Sequence, residues 1–337
     1  MSEKITKIGF ENPRGGIKYI FEWANKLWLP SNEVSIEIDF SRFTFVKPFE
    51  VVFILDQISL YMERFPATKL LFSGLENNKK AKNIGISAIL QKEKYETPIE
   101  KEFILPVRRL SLAEFRGEGV SPTANHEAIE HQSGILAKHL TMSETGAVYD
   151  ATQFALREII RNIFEHSGSK TLTYAATYSP RSNIAEICVS DQGSGIHSTL
   201  TFNKKFEHLT PKEALEWACL PGVSGNPQVY EQEASPSPWR NSGYGLYMMN
   251  RLCRNKGDFL ILSNQEVLYM QTKKNNFKVI QNKGTTIRLH LNLENITSLK
   301  DDLSRYAREG KEHALEIRGA AHIEASKAST MLRRDFD

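Results

Sequence analysis

The stretch 157-REIIRNIFEHSG-168 sets Glu158, Asn162 and His166 at successive four-residue intervals inside an apolar-rich run. A helix turns about 100° per residue, so these three side chains share one stripe while Ile159, Ile160, Ile163 and Phe164 cover the opposite face. Taken alone, the pattern is an ordinary amphipathic helix with a wet side. Whether the stripe faces water or a ligand depends on what the rest of the chain sets beside it.

Around that helix, the 337 residues are 40% hydrophobic and 25% charged, a globular composition long enough for two domains with separate cores. A net charge of +3 gives no overall basic field, so there is no clear nucleic-acid signal. The local runs "NNKKAKN" and "QTKKNNFK" read as solvated loops or helix ends. No apolar stretch reaches the roughly 20 residues of a membrane span, and "MSEKITKIGF" lacks a signal-peptide core, so a cytoplasmic protein without a membrane partner is expected. Cys188, Cys219 and Cys253 are isolated and odd in number, which argues against a disulfide scaffold or structural zinc, and Cys188 reads as a buried thiol in an apolar run. The histidines lack ligand spacing too, and no transition metal is expected.

Upstream, "EVSIEIDFSRFTFV" alternates from Val34 to Ile38 as a half-buried strand and runs on through Phe43 and Phe45. A helix begun by Pro48 follows, then the strand "TKLLFSGL" and the helical "NNKKAKNIGISAILQK". That order predicts an α/β layer structure over residues of about 35–118. Periodicity lapses at "RGEGVSPTANHEA", where a domain boundary is expected between 118 and 119. Beyond it come helices over about 126–140 and 148–166 and the strands "TLTYAATYS" and "NIAEICVS". Residues 197–240 hold one short helix in a Pro-, Ser- and Asn-rich segment of the kind that forms a lid or binding loop. The helix "GLYMMNRLCRNKG", the strands "DFLILSN" and "TTIRLHLNL", and a polar helical tail from about Asn295 complete the chain.

Two glycine pairs carry chemistry. "SDQGSGI" places Asp191 directly after an apolar strand, with Gly193 and Gly195 shaping a tight turn; a strand-end carboxylate accepts hydrogen bonds from an amino group. "NSGYGLYMMNRL" sets Gly243 and Gly245 ahead of a helix, whose free N–H groups and dipole suit phosphate oxygens. Neither a Walker A loop nor a strand-borne GxGxxG is present. "NKGTT", with Thr285, turns the chain into the last strand.

In this order, an acidic-plus-Asn helix, a strand-end DxGxG, a long loop, a GxG before a helix and a GT before a strand, the chain over residues 120–295 resembles the GHKL (Bergerat-fold) ATPase superfamily. That superfamily includes gyrase B subunits, heat-shock chaperones, histidine kinases and mismatch-repair ATPases. Glu158, Asn162 and His166 with Gly168 look most like the anti-sigma-factor serine kinases within it. The resemblance implies an α/β sandwich, a mixed sheet covered by helices, that binds ATP and magnesium. It implies Glu158 as general base, Asn162 as magnesium ligand and His166 near the phosphates. Asp191 would bind the adenine amino group with Gly193 and Gly195, Gly243 and Gly245 would form the phosphate-cradling lid hinge, and Thr285 would match the last box. One Asn oxygen plus phosphates satisfies magnesium, which takes oxygen ligands and keeps waters. A carboxylate in reach would then activate water or a hydroxyl.

The segment "IDFSRFTFVKPFEVVFILDQI" is similar to the STAS domain of anti-sigma-factor antagonists, but Lys47 and Pro48 stand at the turn where that family carries a phosphorylated serine, and Ser41 is a poor substitute. The expected organisation is a STAS-like α/β domain over 1–118, an ATP-binding domain over 119–296 with a lid at about 197–240, and a helical tail over 297–337. The expected function is an ATPase or ATP-dependent protein kinase that acts on a partner protein, with a homodimer among the assemblies it allows. Autophosphorylation at His126 is disfavoured, because "NHEAIEHQSG" lacks the Arg and Pro of histidine-kinase acceptor motifs. The alternative is an ATP-gated switch with little turnover, such as a subunit of a bacterial stress or defence system.

Overall fold

The computed structural model describes residues 5–11, 17–29, 35–44, 46–76, 78–91, 103–115, 122–230, 242–254, 257–271, 273–279, 281–294, 296, 298–322, 324–330 and 332. The chain begins β1 (Ile5–Gly9), α1 (Lys18–Leu27), β2 (Ser35–Asp39), α2 (Pro48–Arg64), β3 (Lys69–Ser73), α3 (Lys79–Ile84) and α4 (Ile86–Gln91). β1, β2 and β3 pair in that order and in parallel, as strand–helix–strand crossovers produce. β1 and α1 were not legible in the sequence pattern. The strand expected to run through Phe43 stops at Asp39, whose Oδ1 accepts from the Ser41 N–H at 2.8 Å and turns the chain. Phe43 is still buried, its ring tilted against Phe10 and edge-on to Phe40, while Val34 and Phe45 lie outside the described residues.

α2 starts at Pro48, where a missing N–H costs nothing, and the Lys47 N–H donates to Glu50 Oε2 at 3.1 Å. Every residue from Pro48 to Ile58 is buried, which matches the near-continuous apolar run "FEVVFIL". The helix is covered on two sides because it lies between the small sheet's elements and the strands of a second, larger sheet.

The remainder runs β4 (Ile104–Ser111), α5 (Leu112–Phe115), α6 (Pro122–Thr141), α7 (Ala147–Asn162), β5 (Thr171–Ser179), β6 (Ile184–Asp191), α8 (Ile196–Thr201), α9 (Pro211–Ala218), α10 (Gly245–Cys253), β7 (Asp258–Ser263), β8 (Glu266–Met270), β9 (Lys274–Lys278), β10 (Thr285–Asn292) and α11 (Leu299–Ala314). Seven strands form one sheet in the order β4-β5-β6-β10-β7-β8-β9. The protein is thus α/β, but the larger sheet is antiparallel at every described pairing and not mixed as expected. The reason is β10, which returns between β6 and β7 and keeps those two like-directed strands apart. Two other expectations shift as well. β4, upstream of the boundary placed at 118, is the edge strand of the larger sheet, and "KNNFK" is an edge strand on β8 rather than a loop.

Side chains on adjacent positions of a strand point to opposite faces, and the larger sheet buries both. Ala185, Ile187 and Val189 of β6, Phe259 and Ile261 of β7, and Ile287, Leu289 and Leu291 of β10 face α6, α7, α10 and α11. Ala175, Cys188, Leu260 and Leu262 belong to the core shared with α1 and α2. Charges that share this second face are paired: Arg288 binds Glu186 at 3.0 Å and also Asp258, and Glu186 Oε1 accepts from the Phe49 N–H at 3.4 Å. The polar tail is not a solvated end. α11 buries Leu299, Leu303, Tyr306 and Ala314, the Ala321 N–H donates to the Gly222 oxygen at 2.7 Å, and Leu332 enters the helical-side core. Among the described residues, no helix is long and apolar enough to cross a membrane.

Candidate functional site

β6 ends in Asp191, and by strand alternation that carboxyl points to the same face as Val189 and Ile187, where the helices pack. There a cleft of about 830 Å³, its open mouth included, lies between the C-terminal turn of α7, the β6 end, α8 and the start of α10. Asn162, His166, Asp191, Gly195, Gly243, Gly245 and Thr285 all line it. These are seven of the residues singled out in the sequence, drawn from four separate segments. Ile163, Ile196, Leu200, Leu246 and Ile287 supply apolar wall, the usual composition of a small-molecule site with a few placed polar groups.

At one end, Thr285 of β10 stands directly opposite Asp191 of β6 in the antiparallel register. Asp191 Oδ1 accepts from the Gly193 N–H at 2.7 Å, closing the turn. Burial pushes the Asp191 carboxyl up to about 7, with the Asp56 charge acting in the same sense. Gly193 does not line the cleft; its place is set by the chain beneath it. A Cβ there would collide with the Ser167 carbonyl oxygen, to which the next residue, Ser194, donates its N–H at 2.9 Å. The DxGxG turn therefore docks on the one-turn π-helix Ile163–Ser167 that ends α7.

At the other end, Gly243 lies just ahead of α10 and Gly245 opens it, and the first turn of this helix faces the C-terminal end of α7. A Cβ on Gly245 would lie 2.8 Å from Glu158 Oε2, so glycine is what lets the two helices close. His166 is held largely neutral, its imidazole pushed down to about 4 by burial and by the Arg161 charge. The lid segment is more structured than its composition suggested: α8, α9, the 3-10 turn Lys204–Phe206 and the loops beside them pack Leu200, Phe206, Leu209, Ala214 and Val223 into a small core of their own with Ala314 and Ala320. Residues 231–240, the last part of the expected lid, lie outside the described residues.

Glu158 departs from its expected place. α7 is not half-wet: every residue from Tyr149 to Arg161 is buried, because α6, α10 and α11 surround it. Glu158 has no exposed surface, does not line the cleft, and faces Arg161 Nη2 at 2.8 Å and Arg157 Nε at 3.5 Å. Its carboxylate is thus engaged by two guanidinium groups. Beside Asn162 and His166, Arg161 of this stretch also borders the cleft; no motif disclosed it, and an arginine next to the expected magnesium ligand was the available signal. Burial works against the Arg161 charge, and Glu158, Glu165 and Glu130 outweigh it.

Behind the cleft, Asp56 of α2 is a second residue that no motif disclosed. Its Oδ2 accepts from Ser190 Oγ at 2.5 Å, and Arg109 Nη2 of β4 lies 3.4 Å from Oδ1. Burial pushes this carboxyl up to about 6 in spite of both partners. No protein-family model matches the chain, and no curated protein or solved structure matches it either.

Proposed function

We propose that the cleft binds ATP with magnesium and that the chain is a nucleotide-dependent regulatory protein, a GHKL-type ATP-binding unit joined to a STAS-like docking half. The observation that carries this is convergence: residues 162, 166, 191, 195, 243, 245 and 285, chosen for their nucleotide chemistry, line one cleft. In this reading Asp191 and Thr285 hold the adenine edge, and the α10 N-terminus receives phosphate oxygens. Asn162 fits the magnesium role, since it lines the cleft with its Nδ2 buried and unbonded among the described residues, and its amide oxygen and nitrogen are interchangeable by rotation. Bound magnesium would offset phosphate charge. The chain's own groups orient the nucleotide and keep water from its apolar side.

Between turnover and switching, one observation favours the switch. A hydrolase or kinase needs a free base at the phosphate end, and Glu158 is engaged by Arg157 and Arg161. ATP would then act by closing α8, α9 and the tail around the cleft, which requires tighter binding to the closed arrangement than to the open one. The test is equilibrium binding of a non-hydrolysable ATP analogue to the purified chain, run beside ATP consumption with magnesium. Binding without consumption is expected. Absence of any binding would end the nucleotide reading, and consumption that depends on Glu158 would restore the catalytic one.

A further inference from the structure

Arg161 is 3% exposed and borders the cleft. Its Nη2 donates to Glu158 Oε2 at 2.8 Å and lies 3.5 Å from Ser329 Oγ in the tail. Among the described residues, its Nη1 and Nε have no hydrogen-bond partner, Nε standing 3.7 Å from Glu165 Oε1. Asn162 Nδ2, on the adjacent residue, is likewise buried and unbonded. Both groups sit against the first turn of α10: a Cβ on Gly245 would be 3.6 Å from Arg161 Nη2 and 3.7 Å from Asn162 Nδ2.

Buried donors left unmade are unfavourable, and a guanidinium fork matches phosphate oxygens in pairs. The positive end of the α10 dipole adds to the same field. We infer that Arg161 is a polyphosphate ligand of this cleft, and that Glu158 is its positioning residue, fixing the guanidinium plane through Nη2 while Nη1 is left for a phosphate oxygen. Arg161 thereby makes the cleft discriminate a nucleoside triphosphate from the bare nucleoside. The inference rests on the nucleotide reading of the same cleft and gives the buried Glu158–Arg161 pair a purpose other than proton transfer.

The experiment is calorimetric titration of the full chain with the analogue AMP-PNP plus magnesium and, separately, with adenosine, for wild type, Arg161→Gln, Arg161→Lys and Glu158→Gln. Arg161→Gln should lose about 10- to 100-fold in AMP-PNP affinity, the size of a charged hydrogen bond, with adenosine affinity unchanged. Arg161→Lys should recover part of the loss, since it keeps the charge without the fork, and Glu158→Gln should show a smaller loss again confined to AMP-PNP. Equal losses for both ligands would reduce Arg161 to a structural residue and overturn the inference, as would unchanged AMP-PNP affinity. If Arg161→Gln does not fold, Arg161→Lys decides by the same comparison. A wild-type chain that binds neither ligand defeats the nucleotide reading itself, whereas wild-type binding with an indiscriminate variant defeats only the role of Arg161.

Discussion

Asp56 and Ser190 meet across the two halves of the chain: the carboxyl of α2 accepts the serine hydroxyl at 2.5 Å, one residue before Asp191 turns into the cleft. The cleft's strand end is therefore fastened from behind by the N-terminal half. Asp56→Ala should leave Ser190 and Arg109 without their partner and lower stability by about 1–3 kcal/mol, read from urea unfolding. Ser190→Ala should cost less, because Asp56 keeps Arg109. Equal stability in all three proteins would show that the contact holds nothing.

Asp191 gives a pH dependence whose sign is fixed by its upward displacement to about 7. The folded chain keeps a proton there that the unfolded chain releases near pH 4, so this carboxyl's share of stability falls as pH rises from about 4 to 7. Binding runs the other way. The ionised carboxylate is the better acceptor for an amino group, so adenosine affinity should rise between pH 6 and pH 8 by up to about 10-fold. Asp191→Asn should flatten that profile, and a flat wild-type profile would place the adenine edge elsewhere.

Asn162→Ala removes the amide to which the proposed function gives magnesium at the cleft. AMP-PNP binding should lose its magnesium dependence while adenosine binding stays, as calorimetry with and without chelator would show. A variant that still responds to magnesium would move the metal's protein ligand to another residue.

Glu158→Ala should be costly to the fold, because it leaves Arg161 and Arg157 buried with less countercharge. A loss of about 3–5 kcal/mol is the usual size for breaking one side of a buried pair. Glu158→Gln, which keeps the shape, should lose less. Denaturation midpoints of the two variants decide whether this carboxylate is mainly an anchor.

Gly193→Ala tests the docking of the DxGxG turn. Its methyl would meet the Ser167 carbonyl oxygen, so the turn or the π-helix must shift. Adenosine affinity should fall although residue 193 does not touch the cleft, and an unaltered affinity would mean that Asp191 is held by β6 alone.

The sequence determined what belongs to local spacing. Pro48 began a helix, strand alternation put Asp191 and Ser190 on opposite faces, and the glycine pairs marked the turns at both ends of the cleft. It also set the α/β class, since strand and helix periods differ plainly enough to read. Tertiary structure decided which polar groups are wet. The stripe of Glu158, Asn162 and His166 has one period in sequence, yet Glu158 is sealed among arginines while Asn162 and His166 reach the cleft, because α10 closes on α7 at Gly245. Spacing fixes a side chain's direction from its own helix and carries no information about what packs against it. For the same reason Asp56, Arg109 and Ser190, on three separate elements, became one contact only when the sheet assembled, and β10 entered between β6 and β7 to make the larger sheet antiparallel.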